Sequence, residues 1–217
     1  WMDATAEASR LAEYVSMEGI KSIGIIGTKD AWENEVSDVF AEKFSSLGGR
    51  ISAEEIVQPD ADDVRLSITK IISQKPDAIF LGTYYQFVKS LKAARQLGFK
   101  GKLYSIEVDA YLAGETKGFS DGLRFIAPDF YASDFMEKFE KKYGQKPGIP
   151  AGHSYDAANI LFSLLKINKD REAVLKAMSD LRIWSGVSGN IVFTDDHKTL
   201  LPTAIFELQN GEIKRIR

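Results

Sequence analysis

Ile23-Gly24-Ile25-Ile26-Gly27 is an apolar run of strand length, and after Thr28-Lys29-Asp30 it gives way to a helical pattern. The run does not alternate apolar with polar, which is the mark of a strand covered on both faces. The helix near 32–47 carries Val36, Val39, Phe40, Phe44 and Leu47 on one face, and Gly48-Gly49 ends it. Ile51 to Val57 then reads as a second strand. A buried strand, an amphipathic helix and another strand within 35 residues form the unit from which parallel sheets are built.

Outward from this unit the pattern repeats. Upstream, residues 3–18 read as a helix with Ala6, Leu11, Ala12 and Val15 at helical spacing and Gly19 as its stop. Downstream, Asp62 or Asp63 caps a helix bearing Val64, Ile68, Ile71 and Ile72. Ala78-Ile79-Phe80-Leu81 is a third strand, and 85–97 a helix with Phe87, Leu91, Ala94 and Leu97 inward. Leu103 to Ile106 and Leu123 to Ala127 are a fourth and fifth strand, with a short helix over 109–115 between them. Residues 1–130 therefore read as a doubly wound α/β lobe with a mostly parallel sheet.

Beyond it the pattern changes. Residues 131–143, 151–167 and 170–181 read as helices, followed by a strand at Ile191-Val192-Phe193. Thr203 to Leu208 and Ile213 to Ile216 form a hairpin around Asn210-Gly211, a pair suited to a tight turn. The helix at 151–167 is apolar on nearly every side, so it expects more than one packing partner. The organisation read from these segments is an α/β ligand-binding lobe at 1–130, a helical segment of an incomplete second lobe at 131–193, and terminal strands at 194–217 that return to the first lobe.

Composition sets the outer bounds. The chain has 217 residues, 44% hydrophobic and 27% charged, with a net charge of −3. A core is expected. There is no long basic stripe, so no nucleic-acid partner is read. No apolar run approaches about 18 residues, so no membrane-spanning helix is expected. Trp1-Met2-Asp3-Ala4 lacks the basic-then-apolar order of a signal peptide. The absence of cysteine removes disulfides, thiolate metal sites and a cysteine nucleophile.

Catalytic patterns are missing too. There is no phosphate-binding Gly-x-x-x-x-Gly-Lys-Ser/Thr, no Gly-x-Gly-x-x-Gly after the first strand and no Gly-x-Ser-x-Gly elbow. His153 and His197 are far apart and neither has a second histidine at helical spacing, so no metal is read. His153 is placed near a helix start, and His197, after Asp195-Asp196, in a surface turn. No catalytic residue and no cofactor is expected.

What remains is the rim of the sheet, because ligands of open parallel sheets bind beyond the carboxyl ends of the strands. Lys29-Asp30-Ala31-Trp32 follows strand one, Thr83-Tyr84-Tyr85 follows strand three, and Glu107 follows strand four. Rings give flat apolar walls, and a carboxylate takes charge-assisted hydrogen bonds from an ammonium group. Each has an ordinary alternative. Trp32 either packs its helix onto the sheet or faces a ligand, one of the two tyrosines faces solvent or core, and Glu107 either binds or merely solvates a loop. Asp30 and Asp109 read as helix caps.

Taken in order, several stretches resemble the type I periplasmic solute-binding proteins, in the group that serves branched-chain amino acid ABC transporters. They are Leu11-Ala12-Glu13-Tyr14-Val15 before Gly19 to Ile26, Asp30-Ala31-Trp32, Lys75-Pro76-Asp77-Ala78-Ile79-Phe80, Phe135 to Tyr143 with Pro147 and Tyr155-Asp156-Ala157, Gly186-Val187-Ser188-Gly189-Asn190-Ile191-Val192-Phe193, and Asn210-Gly211. The resemblance implies an extracytoplasmic, non-enzymatic component of an ABC transporter that closes its lobes on a small amino acid or related solute. It implies Trp32, Tyr84 and Glu107 as ligand-binding residues, Glu107 meeting the ammonium group, and a membrane permease as partner. A ligand-sensing or protein-interaction module with the same fold is the alternative. Trp32-Glu33 departs from the family's Tyr-Gly at this position. The resemblance covers lobe two and the returning end of lobe one, the opening half of lobe one being absent. That leaves the 151–167 helix with exposed apolar surface and opens a route to self-association.

Overall fold

The computed structural model describes residues 3–129, 134–167 and 170–217. The chain divides into two compact units, one of Ala4–Ala127 with Ala204–Arg217, the other of Trp1–Asp3 with Pro128–Thr203.

The larger unit runs α1 (Ala4–Met17), β1 (Ser22–Thr28), α2 (Ala31–Ser46), β2 (Arg50–Val57), α3 (Arg65–Ser73), β3 (Ala78–Gly82), α4 (Phe87–Gln96), β4 (Lys102–Ile106), α5 (Ala110–Glu115) and β5 (Arg124–Pro128). In the smaller unit follow α6 (Phe135–Tyr143), α7 (Ile149–Ile167), α8 (Arg171–Asp180), β6 (Ile183–Gly186), β7 (Gly189–Phe193) and β8 (Thr199–Leu200). The chain closes with β9 (Thr203–Gln209) and β10 (Glu212–Arg215). Positions 131–133 of the helix expected over 131–143 lie outside the described residues, as do Trp1 and Met2.

The main sheet has the order β10-β9-β5-β4-β3-β1-β2. The pairs β1–β2, β1–β3, β3–β4 and β4–β5 are parallel, and β9–β10 is an antiparallel hairpin. Asn210 and Gly211 turn that hairpin with φ of 56° and 78°, the left-handed region that Asn-Gly tolerates. From β1 the chain first moves outward to β2 and then crosses back to β3 on the other side. The strand order therefore reverses between β1 and β3, where an open α/β sheet leaves a crevice.

The continuous apolar strands are explained by two cores, one on each face. Ile23, Ile25, Ala78, Phe80, Tyr104, Ile106 and Ile126 join Leu11, Val15, Val36, Phe40 and Phe44 of α1 and α2. The residues between them, Ile26, Ile79, Leu81, Leu103 and Phe125, join Ile68 and Ile71 of α3, Phe87 and Leu91 of α4, and Leu112 of α5. The alternation of strand side chains thus feeds both cores, and the sheet is doubly wound. Phe40 stacks on Phe80 with ring centroids 4.2 Å apart.

Glycines set how closely helices approach. A Cβ on Gly24 would run into Cγ2 of Ile71, so α3 lies directly on β1 there. Gly27 and Gly82 are partners across β1–β3. A Cβ on either would crowd the Ser37 hydroxyl, at 3.1 Å from Gly27 and 2.7 Å from Gly82. The first half of α2 therefore sits low over the carboxyl ends of these two strands.

At the opposite end of the sheet, Arg124 Nε donates to Glu207 at 2.8 Å, and its Nη1 donates to Tyr14 at 3.0 Å and also pairs with Glu18. Lys102 reaches Glu18 at 2.8 Å. These bonds tie the end of α1 to the first residues of β4 and β5. They hold the Glu18 and Glu207 carboxyls below the usual range, through the hydrogen bond from Lys102 for Glu18 and those from Gln209 and then Arg124 for Glu207.

The smaller unit has the antiparallel sheet β6-β7-β8 with Ile191 and Leu201 at its centre, packed by Trp184 and Phe193. Asp156 of α7 is buried and accepts the backbone N–H groups of Val187 and Ser188 at 2.9 and 2.8 Å. These are the two residues of the β6–β7 turn. Gly186 is required beside them, because a Cβ there would strike the Asp156 carboxylate. The Tyr155-Asp156-Ala157 and Gly186 to Gly189 stretches are thus two halves of one contact. Phe162, Leu165 and Ile167 of α7 remain exposed.

Some sequence expectations shift. Asp63 does not cap α3 as an N-cap. Val64 holds that position, and Asp63 instead accepts the N–H of Arg65 at 2.8 Å. Leu47 and Leu97, expected inward, are exposed, because each is the C-cap residue where the helical stripe ends.

Candidate functional site

Thr28, Asp30, Trp32, Thr83 and Glu107, all buried or half-buried, lie at the carboxyl ends of β1, β3 and β4. Thr28 ends β1 and Thr83 follows β3, and their hydroxyl oxygens lie 2.5 Å apart, bridging the point where strand order reverses. Asp30 caps α2 by accepting the N–H of Trp32 at 3.0 Å and of Glu33 at 3.3 Å. Trp32, half-buried, packs against the core under α1 and α2, while its indole Nε1 is closed off from solvent and meets no acceptor among the described residues.

Tyr84 is 45% exposed. Its hydroxyl donates to Asp109 at 3.3 Å, so its ring spans from the β3–α4 turn to the β4–α5 turn. Burial, and then the Asp109 charge and hydrogen bond, raise the Tyr84 phenol above its ordinary value. Tyr85 is exposed and meets Tyr84 edge-on. Asp109 also caps α5 by accepting the N–H of Leu112 at 2.8 Å.

Glu107 is 6% exposed, directly beyond β4, with φ at +50°. A non-glycine residue in that region is uncommon and is kept only where its surroundings hold it. Its N–H donates to Ile126 at 2.8 Å, fixing it to the end of β5. Beside it lies Glu7 of α1, 1% exposed. Burial first, then the charge of Glu107 and a hydrogen bond with it, push the Glu7 carboxyl well above the usual carboxylate range. Two buried carboxyls in contact cannot both ionise readily, so the pair holds a proton.

Glu7 and Glu33 were not singled out by the sequence. Glu7 shares a helix face with Leu11 and Val15, and an acid on that buried stripe was the available signal. Glu33 reads as the fourth residue of a capping box, Asp30-Ala31-Trp32-Glu33, and that ordinary role hides what it does.

The histidines fall elsewhere. His153 lies early in α7, where burial lowers its pKa to about 4. His197 occupies an exposed turn with φ at +62°. Among the described residues no group of three histidine, cysteine or acidic side chains is placed to hold a metal. No helix among them is long and apolar enough to cross a membrane.

A two-sided parallel sheet of this kind leaves the place for a ligand at its reversal point, beyond the carboxyl ends of the strands, and here that rim is polar and aromatic. The chain belongs to the periplasmic binding protein family, whose sequence pattern matches residues 2–212. No curated protein matches it in sequence. Among solved structures it is similar to a leucine binding protein from Thermotoga maritima, with a TM-score of 0.90 and 23% identity over 98% of this chain and 65% of the other. A putative branched-chain amino acid ABC transporter protein from Rhodospirillum rubrum is similar with a TM-score of 0.83 and 23% identity, over 100% of this chain and 66% of the other. A solute binding protein from R. palustris in complex with benzoate gives 0.87 and 17%, over 98% of this chain and 62% of the other. The chain thus spans about two thirds of the length of these relatives.

Proposed function

We propose that this chain is part of an extracytoplasmic solute-binding component of an ABC transporter, and that its solute is a small amino acid or a related molecule bound without turnover. The observation carrying this reading is Glu107, a buried carboxyl held in a left-handed backbone beyond β4, on the same rim as the half-buried Trp32 and the exposed ring of Tyr84. In this reading Glu107 meets the solute's ammonium group, the two rings wall its apolar part, and lobe closure shuts out water. Family membership supports the extracytoplasmic location and the permease as partner.

The test is thermal unfolding against the L-amino acids and benzoate. A solute at a hundred times its Kd adds about 2.7 kcal/mol, or roughly 5–11 °C in midpoint for a chain of this size. A selective rise that is lost in Glu107→Gln supports the reading, and a rise that survives Glu107→Gln contradicts the role of Glu107. The second reading, a sensing or interaction module, is favoured by the exposed Phe162, Leu165 and Ile167 on α7. Concentration-dependent association in sedimentation, reduced by Phe162→Ser, would support it.

A further inference from the structure

A glutamate at the third position of a helix ordinarily turns back to cap the helix's own first N–H. Glu33 does not. The Asp30 N–H that it would cap already donates to the Thr28 carbonyl at 2.7 Å. Glu33 is released to reach across the sheet's reversal point, where one carboxylate oxygen accepts the N–H groups of Tyr84 at 2.8 Å and Tyr85 at 3.2 Å. The side chain is 1% exposed, so these bonds are made away from water. Gly27 and Gly82 make the reach feasible. They let α2 down onto the strand ends at Ser37, one turn beyond Glu33 on the same helix face. The turn that Glu33 grips is held besides by the Phe87 N–H donating to the Tyr84 carbonyl at 3.4 Å and, at its flank, by the Gln86 N–H donating to Thr83 Oγ1 at 3.0 Å and Gln86 Nε2 donating to Pro59 at 2.7 Å.

We infer that Glu33 is a positioning residue for solute specificity: by holding the Tyr84 and Tyr85 backbone it sets where the Tyr84 ring stands on the rim. The inference rests on the reading of Tyr84 as a wall of the solute site. Two carboxylate-accepted N–H bonds on one short turn are strong enough to choose a conformation for it. Tyr84 then reaches Asp109 across the mouth of the site, and the gap between its ring and Glu107 is fixed rather than adaptable.

The test compares the parent protein with Glu33→Gln and Glu33→Ala. The glutamine carbonyl still accepts both N–H groups, whereas alanine accepts neither. Amide hydrogen exchange at Tyr84 and Tyr85 is expected to quicken by about tenfold or more in Glu33→Ala, with β3 and β4 amides unmoved, and to stay near the parent rate in Glu33→Gln. Affinity is then measured with L-leucine and benzoate. Whichever binds the parent is expected to bind Glu33→Ala at least about tenfold more weakly and Glu33→Gln within about threefold. Unchanged amide exchange in Glu33→Ala, or equal solute affinity in all three proteins, overturns the inference. A parent protein that binds neither probe counts against the functional reading instead, and the amide comparison alone then decides whether Glu33 positions the turn.

Discussion

Replacing Glu7 with glutamine should change how stability depends on pH. Glu7 is 1% exposed, and both its burial and its contact with Glu107 raise its pKa in the folded chain. In the unfolded chain it titrates near 4.3, as an ordinary glutamate does. Between that value and the raised folded one, the folded state binds a proton that the unfolded state has lost. Stability therefore falls as pH rises through this window, by at most about 1.36 kcal/mol per pH unit, and levels off above the folded pKa. The glutamine amide keeps a donor for Glu107 and has nothing to titrate. The stability of Glu7→Gln relative to the parent should thus climb from about pH 4.3 upward, roughly 3–5 °C of midpoint per pH unit at the steepest. The difference curve matters because other groups titrate as well. His153, with its pKa lowered to about 4, loses stability as pH falls from about 6.5, which opposes the Glu7 slope in the parent but cancels in the comparison. The assay is thermal unfolding of both proteins at half-unit pH steps from 4 to 8. Parallel curves would show that Glu7 does not hold a proton in the folded chain.

Other perturbations test the packing. Asp156→Ala removes the acceptor of two turn N–H groups in a buried place and should cost about 3–5 kcal/mol, with Asp156→Asn costing roughly half. Faster amide exchange at Val187 and Ser188 would localise that loss, and protection unchanged there would refute it. Gly24→Ala drives a methyl into Ile71 and should cost about 1–3 kcal/mol in urea unfolding, with the midpoint lowered at an unchanged slope. A variant as stable as the parent would show that α3 can move away from β1 freely.

The centre of the main sheet was legible because β1 and β3 are buried at every position and each is followed by a helical stripe, so both faces announce themselves. Asp30 and Asp109 were legible as caps because capping chemistry is local. Ile183-Trp184-Ser185-Gly186 and Thr199-Leu200 were not read as strands, since short antiparallel strands in a small sheet bury little on either side. On the rim, the residues after each strand could be picked because topology alone puts them there. Glu33 could not. Its role depends on how low α2 sits over Gly27 and Gly82, a distance that no local pattern encodes. Glu7 was hidden for a related reason, because its partner Glu107 lies a hundred residues away in sequence.

The central claim is that Glu107 receives the ammonium group of a small solute. Isothermal titration with the amino acid that stabilises the protein most, set against the same molecule without its amine, tests it directly. The parent should bind the amine-bearing solute about 10- to 150-fold more tightly than its deaminated analogue, and Glu107→Gln should lose most of that preference. Equal affinity for the two molecules, or a preference that survives in Glu107→Gln, would contradict it.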